Sequence, residues 1–314
     1  MVLDIRNYNA VGDGETMNTA AIQAAVDACH ENGGGRVLVA GGTYKTGSFT
    51  LKSNVELHIA ADGVLLGSER CEDYPEKTGL KHVVSNCLPR RRNACLIFAE
   101  EAENISITGM GKIDGNGTHF VTEQQRDWFG WKYVRIDAPT PPRVVFFTGC
   151  KNIRVEDVTM VNQPAGWGYW IHDCDYVSFD KCKIFAELRY PNNDGIHINS
   201  SRNVTISNCN ITSGDDCIVI RAYSPPLRKN TVCEKVAVTN CNLTSYSAGI
   251  RIGWMNDGVI RNCSVSNVVM TDCTAGVNIT LPYLKPDRAV PGSSDQGREA
   301  TLIENISFNN IIMD

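Results

Sequence analysis

Tyr190-Pro-Asn-Asn-Asp194-Gly195-Ile196-His197-Ile198 and Ser213-Gly-Asp215-Asp216-Cys217-Ile218-Val219-Ile220-Arg221 decide how this chain folds. The run from Asp194 to Ile198 matches the run from Asp216 to Ile220, with a step of 22 residues. Isoleucine at every second place in both frames predicts strands with the isoleucines inward. If the chain makes one turn between the frames, Ile196 stacks on Ile218 and Ile198 on Ile220. Asp194 then lies beside Asp216, one inter-strand spacing away, about 4.8 Å. Asp194, Asp215 and Asp216 on adjacent strands repel one another, which drives their pKa values apart. Aspartate after glycine is also common in turns, where its carboxylate accepts backbone N–H bonds. An acid–base site is the stronger reason to keep three of them together.

The same period extends outward. Glu103-Asn-Ile-Ser-Ile, Lys151-Asn-Ile-Arg-Val, Asp175-Tyr-Val-Ser-Phe, Arg202-Asn-Val-Thr-Ile, Glu234-Lys-Val-Ala-Val, Arg261-Asn-Cys-Ser-Val and Glu304-Asn-Ile-Ser-Phe share one pattern. From Asn152 through Tyr176, Asn203 and Lys235 to Asn262 the steps are 24, 27, 32 and 27 residues. A constant strand core with variable steps means loops of different length on a fixed coil. This predicts a right-handed parallel β-helix, each coil burying its apolar face on the next. We expect a single β-helix domain over 1–314. The recurrent Asn-x-Ser/Thr triplets fit corners turned by asparagine better than glycosylation sites.

A helix over about 18–32, capped by Asn18, carries Ala21, Ile22, Ala25, Val26 and Cys29 on one face. Gly33-Gly34-Gly35 ends it. The open end of a stacked sheet needs such a cover, so the helix is expected as an N-terminal cap. No closing cap is recognisable before Asp314, which predicts an uncovered last coil. An insertion over about 115–143 brings His119, Phe120, Trp128, Phe129, Trp131 and Tyr133 into the solenoid. It is expected to wall a sugar cleft or to cap the coils.

Composition sets limits. With 314 residues and a net charge of −5, the chain has no basic run beyond Arg90-Arg91-Arg92, so neither nucleic acid nor an anionic membrane is expected as partner. No apolar run is long enough to span a bilayer. The 13 cysteines are odd in number and form no Cys-x-x-Cys pair, which argues against zinc. Cys150, Cys174, Cys209, Cys241 and Cys263 recur at similar places in neighbouring repeats and are read as buried free thiols. With no signal peptide recognisable at Met1, a reducing, cytoplasmic location is expected.

Asn192-Asn193-Asp194-Gly195 and Ser213-Gly214-Asp215-Asp216-Cys217 resemble the two aspartate motifs of the polygalacturonase family, glycoside hydrolase family 28. Gly12-Asp13-Gly14, Thr19-Ala-Ala-Ile-Gln-Ala-Ala25, Gly42-Thr-Tyr44 and Leu51-Lys-Ser-Asn-Val55 resemble its opening. The likeness runs along essentially the whole chain. It implies hydrolysis of α-linked galacturonic acid with inversion, without metal or cofactor. Carried over by position, Asp215 is the general acid, and Asp194 and Asp216 activate water. Inversion needs acid and base about 6.5–9.5 Å apart, and one of three crowded carboxyls should keep its proton near neutral pH.

Two positions depart from the family pattern. Ala248 in Ser247-Ala-Gly-Ile-Arg-Ile-Gly253 stands where the family has histidine, and no histidine follows His197. Asn278-Ile279-Thr280 stands where it has Arg-Ile-Lys, the carboxylate-binding run. Stacking the isoleucines gives the outward column His197, Val219, Arg251, Asn278, so Arg251 and Arg221 are expected to replace the lost cations. Substrate contacts are expected from Asn192, His197, Arg221, Arg251, Trp254 and Asn278. The partner is an oligosaccharide or polysaccharide, cleaved in exo fashion as a pectin-derived or related fragment. Two alternatives stay open: a carbohydrate-binding, tailspike-like protein with a decayed site, and a polysaccharide lyase.

Overall fold

The computed structural model describes residues 1–83, 93–127, 130–135, 141–223, 231–281 and 302–314. They form a right-handed parallel β-helix. One face of each coil belongs to an eight-stranded sheet. Its strands run Phe49–Thr50, Cys95–Glu100, Arg143–Thr148, Tyr169–His172, Ile196–Asn199, Ile218–Arg221, Ala248–Ile252 and Ala275–Ile279. A 17-stranded sheet supplies the remaining strands of the coils. No helix among the described residues is long and apolar enough to cross a membrane.

The register follows the isoleucines. Ile196 pairs with Ile218 and Ile198 with Ile220; these pair in turn with Ile250 and Ile252. All six are fully buried. The period of two therefore forces the residues between them onto the opposite face. Phe146, Trp170, His197, Val219, Arg251 and Asn278 make one outward column.

The corners are turned as the asparagines suggest. Asn104, Asn152, Asn203, Asn262 and Asn305 all have φ between 52 and 57°, in the left-handed region that asparagine tolerates. Tyr176 and Lys235 occupy the same corner with φ of 55 and 56°. Side chains ladder between coils: Asn152 Nδ2 donates to Asn104 Oδ1 at 2.7 Å, and Asn104 Nδ2 to Asn54 Oδ1 at 2.8 Å.

Helix α1 (Thr19–Glu31) buries Ile22, Ala25, Val26 and Cys29, the face its period marks, against the first strands. Gly33 and Gly34 end it with positive φ, and Gly34 N donates to Cys29 O at 2.9 Å. Asn18 does not cap it through its side chain. That amide turns away, accepting from Val11 N at 2.7 Å and donating to Thr16 O at 2.6 Å. It ties the preceding strand to the helix instead. In the last coil Ile279, Phe308 and Ile312 are 47, 36 and 59% exposed.

Candidate active site

The outward face of the eight-stranded sheet gathers the three aspartates. Asp194 precedes the strand Ile196–Asn199, and Asp215 and Asp216 precede Ile218–Arg221. Gly195 N donates to Asp216 O at 3.0 Å and Ile196 N to Cys217 O at 2.9 Å, so the two frames sit on neighbouring coils. The turn carrying Asp215 is held from several sides. Asn193 Oδ1 accepts from Gly214 N at 2.8 Å and Asp215 N at 3.1 Å, while its Nδ2 donates to Glu187 O at 2.9 Å. Ser213 Oγ and Ser245 Oγ both donate to Asp215 O at 2.6 Å. Position 214 must be glycine: a Cβ there would stand 2.4 Å from Tyr190 O and 2.5 Å from Leu188 O.

Each carboxylate has a different environment. Asp216 is saturated. Its Oδ1 accepts from Ser247 Oγ at 2.9 Å, Ala248 N at 3.1 Å and Arg251 Nη2 at 3.3 Å; its Oδ2 accepts from Arg251 Nε. Asp215 accepts from Asn192 Nδ2 at 3.1 Å and from Asp216 N at 3.1 Å. Burial, with the Asp216 charge beside it, pushes Asp215 up to about 6, against the pull of Arg251 and Lys132. Asp194 is only 4% exposed. Burial and the charges of Asp215 and Asp216 raise it well above the usual carboxylate range. Its Oδ2 lies 3.1 Å from His197 Nδ1, and its Oδ1 is buried without a hydrogen-bond partner.

His197 is buried, and its ring stacks on Trp167 with centroids 3.9 Å apart. Burial and the guanidiniums of Arg221, Arg143 and Arg251 depress its pKa well below the ordinary value. It therefore stays neutral, with its Nδ1 facing Asp194 Oδ2. Arg143 lies over Trp167 and Trp170, 4.7 and 4.3 Å from their ring centres, and forms the floor on this side.

The two arginines expected at the substrate are placed differently. Arg221 turns to Asp257: its Nη2 donates to Oδ1 at 2.6 Å and to Met255 O at 2.9 Å. Asp257 Oδ2 accepts from Trp254 N at 3.0 Å, so this buried pair braces the turn that carries Trp254. Arg221, expected among the substrate contacts, thus has its guanidinium engaged by Asp257 and Met255. Arg251 spans Asp216 and Trp254, with its guanidinium 4.7 Å from the Trp254 ring centre. Its Nη1 is buried without a partner. Trp254 is half-buried at the rim, and Asn278 accepts from Thr280 Oγ1 at 3.1 Å, one coil beyond Arg251.

The insertion forms an antiparallel hairpin, Val121–Asp127 with Gly130–Arg135. Trp128 and Phe129 lie outside the described residues. Tyr133 N donates to Arg189 O at 2.9 Å, and the Tyr133 ring meets Tyr190 edge-on at 5.0 Å. Lys132 sits 5.1 Å above the Tyr246 ring and acts electrostatically on Asp215. Lys132, Asn193 and Ser247 were not expected from sequence. Asn193 lies inside a motif that draws the eye to its aspartate, and Lys132 reaches the site only through tertiary docking.

The model of Glycosyl hydrolases family 28 matches residues 89–228. A probable polygalacturonase of Vitis vinifera is 29% identical over 286 residues, 87% of this chain and 55% of that protein. An exo-poly-alpha-D-galacturonosidase of Dickeya chrysanthemi is 29% identical over 256 residues, 69% of this chain and 41% of that protein. The chain thus spans about half the length of these relatives. Among solved structures, the exopolygalacturonase of Thermotoga maritima superposes with a TM-score of 0.71 at 22% identity, covering 99% of this chain and 76% of that one. Family model, relatives and coil architecture agree in a likeness to glycosyl hydrolases family 28.

Proposed function

We propose that the protein is an inverting glycoside hydrolase acting on pectin-derived or related oligosaccharides that contain a uronate. Asp215 protonates the leaving oxygen, and the carboxylates of Asp194 and Asp216 form the base side. The observation that carries this reading is the division among three crowded carboxyls. Asp215 is held near 6, so it keeps a proton in weak acid, while Asp216 accepts from Ser247, Ala248 and Arg251. Asp194 and Asp215 interact, so the pair shares its protons in macroscopic steps. The productive form has the proton on Asp215 and Asp194 ionised.

An acidic sugar is supported by the cations that border the aspartates. Arg251 Nη1 is a buried donor without a partner, and Lys132 stands on the hairpin side. Trp254, half-buried beside Arg251, offers a platform for a pyranose ring. The names of the matched relatives, a polygalacturonase and an exo-poly-alpha-D-galacturonosidase, agree with this choice. The free thiols support action in a reducing, cytoplasmic setting on small fragments.

The test is a panel of galacturonide, rhamnogalacturonan and neutral oligosaccharides, with the anomer of the fresh product followed by NMR. Hydrolysis of a uronate-containing member with inversion supports the reading. Cleavage of neutral members alone, or a retained anomer, overturns it.

A further inference from the structure

Two carboxylates form the base side, and the structure treats them unequally. Both oxygens of Asp216 are occupied, by Ser247 Oγ, Ala248 N and two nitrogens of Arg251. A carboxylate gripped at four points has little accepting capacity left for an attacking water. Asp194 is the reverse. His197 engages only Oδ2, and Oδ1 is a buried acceptor without a partner. Opposite in sign, Arg251 Nη1 is a buried donor without a partner. Each of these two side chains lies within the other's electrostatic reach. An acceptor and a donor are thus both left open on this face, and a water or a substrate oxygen would satisfy either.

We propose that Asp194 Oδ1 alone takes the proton of the attacking water, and that Asp216 is the fixed counter-ion that positions Arg251. This rests on the hydrolytic reading above and divides the labour within it. In the step, the water oxygen bonds to the anomeric carbon and its proton passes to Asp194 Oδ1. The glycosidic C–O bond breaks, and its electron pair takes the proton of Asp215. His197 donates to Asp194 Oδ2 throughout and keeps the free oxygen aimed outward. Arg251 Nη1 donates to an oxygen of the substrate, so Asp216 acts through Arg251 and through the field at Asp215.

Azide separates the two roles, because it attacks without giving up a proton. Asp194→Ala removes the base and leaves room for the anion next to Arg251. Azide should restore turnover to this variant, at least tenfold over its level without azide, with a glycosyl azide of inverted configuration as product. Asp216→Ala should gain nothing from azide. The isosteric pair provides a second reading should the alanine variants not fold. Asp194→Asn should lose roughly 10²–10⁴-fold in kcat, whereas Asp216→Asn should lose about tenfold or less. In Asp216→Asn the alkaline limb of the pH profile should also move to lower pH, because the Asp216 charge is one of the causes that raise Asp215. A passive structural residue would not move that limb. Azide rescue of Asp216→Ala, equal rescue of both or of neither, or equal losses in the two asparagine variants overturns the proposal. If the wild type hydrolyses no member of the oligosaccharide panel, the catalytic reading itself fails, which is a different result.

Discussion

At the scale of single residues, Asp215 ties activity to a cost in stability. Its carboxyl sits half-buried with a pKa near 6, above the ordinary value of 3.8. A raised carboxyl pKa means that folding takes up a proton. The contribution to stability is therefore present below about pH 4 and lost as the pH rises through 6. Asp215→Asn keeps the shape and removes both the proton and the charge. Activity should fall by roughly 10²–10⁴-fold. Above pH 7 the same variant should unfold later than the wild type, by about 1–2 kcal/mol after allowance for partial solvent exposure. Calorimetry at about pH 3 and pH 8 checks the sign, since the gain should nearly vanish at the lower pH, where the folded and unfolded carboxyls are both protonated. Lys132 gives an independent handle on the acid. Its cation lowers the Asp215 pKa from across the cleft. Lys132→Gln should shift the alkaline limb of kcat/KM to higher pH, with a smaller shift at high salt. An unmoved limb at low salt would remove Lys132 from the site. The aspartates were legible because a matching Asp-x-Ile-x-Ile frame recurs one coil later, with Asp215 directly before it. Lys132 was not, since no periodicity links residue 132 to residue 215; only the docking of the hairpin on Tyr190 and Tyr246 does.

Elements carry the next level, and here pairings decide what the side chains mean. The strand register was readable from the isoleucine period alone, because shifting a strand by one residue would turn every isoleucine outward. Which acid each arginine meets was not readable, because that depends on the turn after Ile252. Sequence spacing makes Asp257 an equal candidate for Arg251 and Arg221. The structure gives Asp257 to Arg221, at 2.6 Å and with the aspartate side chain fully buried, and gives Asp216 to Arg251. The helix start shows the same limit. Asn18 has the residue type and position of a cap, yet tertiary bonds to Val11 and Thr16 claim its amide. The Arg221–Asp257 pair yields a prediction at this scale. Removing one partner leaves a buried charge uncompensated, which costs roughly 3–5 kcal/mol. Asp257→Asn should destabilise by about that amount, measured by urea unfolding. It should also weaken substrate binding, because Trp254 N loses the charge of its acceptor. Replacing both partners together, Arg221→Met with Asp257→Leu, should recover much of the stability but not the binding, since the Trp254 turn stays unbraced. Full recovery of KM in the double variant would show that the pair does not serve the turn.

Over the whole molecule the cysteines show how a solenoid turns one local choice into an architectural feature. Their recurrence was visible in the sequence, but it merges separate columns. The strand pairings put Cys150 beside Cys174 at one corner, and Cys182, Cys209 and Cys241 in file at another; Cys263 pairs with Val236 inside a strand. In the second file each Sγ also donates to a nearby carbonyl, such as Cys209 to Ser207 O at 3.2 Å. A small residue with a weak donor suits a corner where the backbone turns and a carbonyl points inward. All twelve cysteines described are free, ten of them buried. Burial raises the pKa values of Cys29, Cys95, Cys174, Cys217, Cys233 and Cys263, and the hydrogen bond with Cys182, together with burial, pushes Cys209 up to about 12, so these thiols stay protonated and unreactive. In the native protein, a thiol reagent should therefore react quickly at half-buried Cys71 and Cys273 and slowly at the ten others described. Unfolding in denaturant without reductant should release nearly all 13 thiols of the chain at the rate of global unfolding. A stacked core unravels cooperatively only if its coils are coupled, so the rate of release also reads that coupling. If the Cys182–Cys209–Cys241 file reacted well before Cys150 and Cys174, the coils would be opening separately. If several cysteines stayed unreactive until reductant was added, the columns would hold disulfides, and the assignment to a reducing compartment would fall with them.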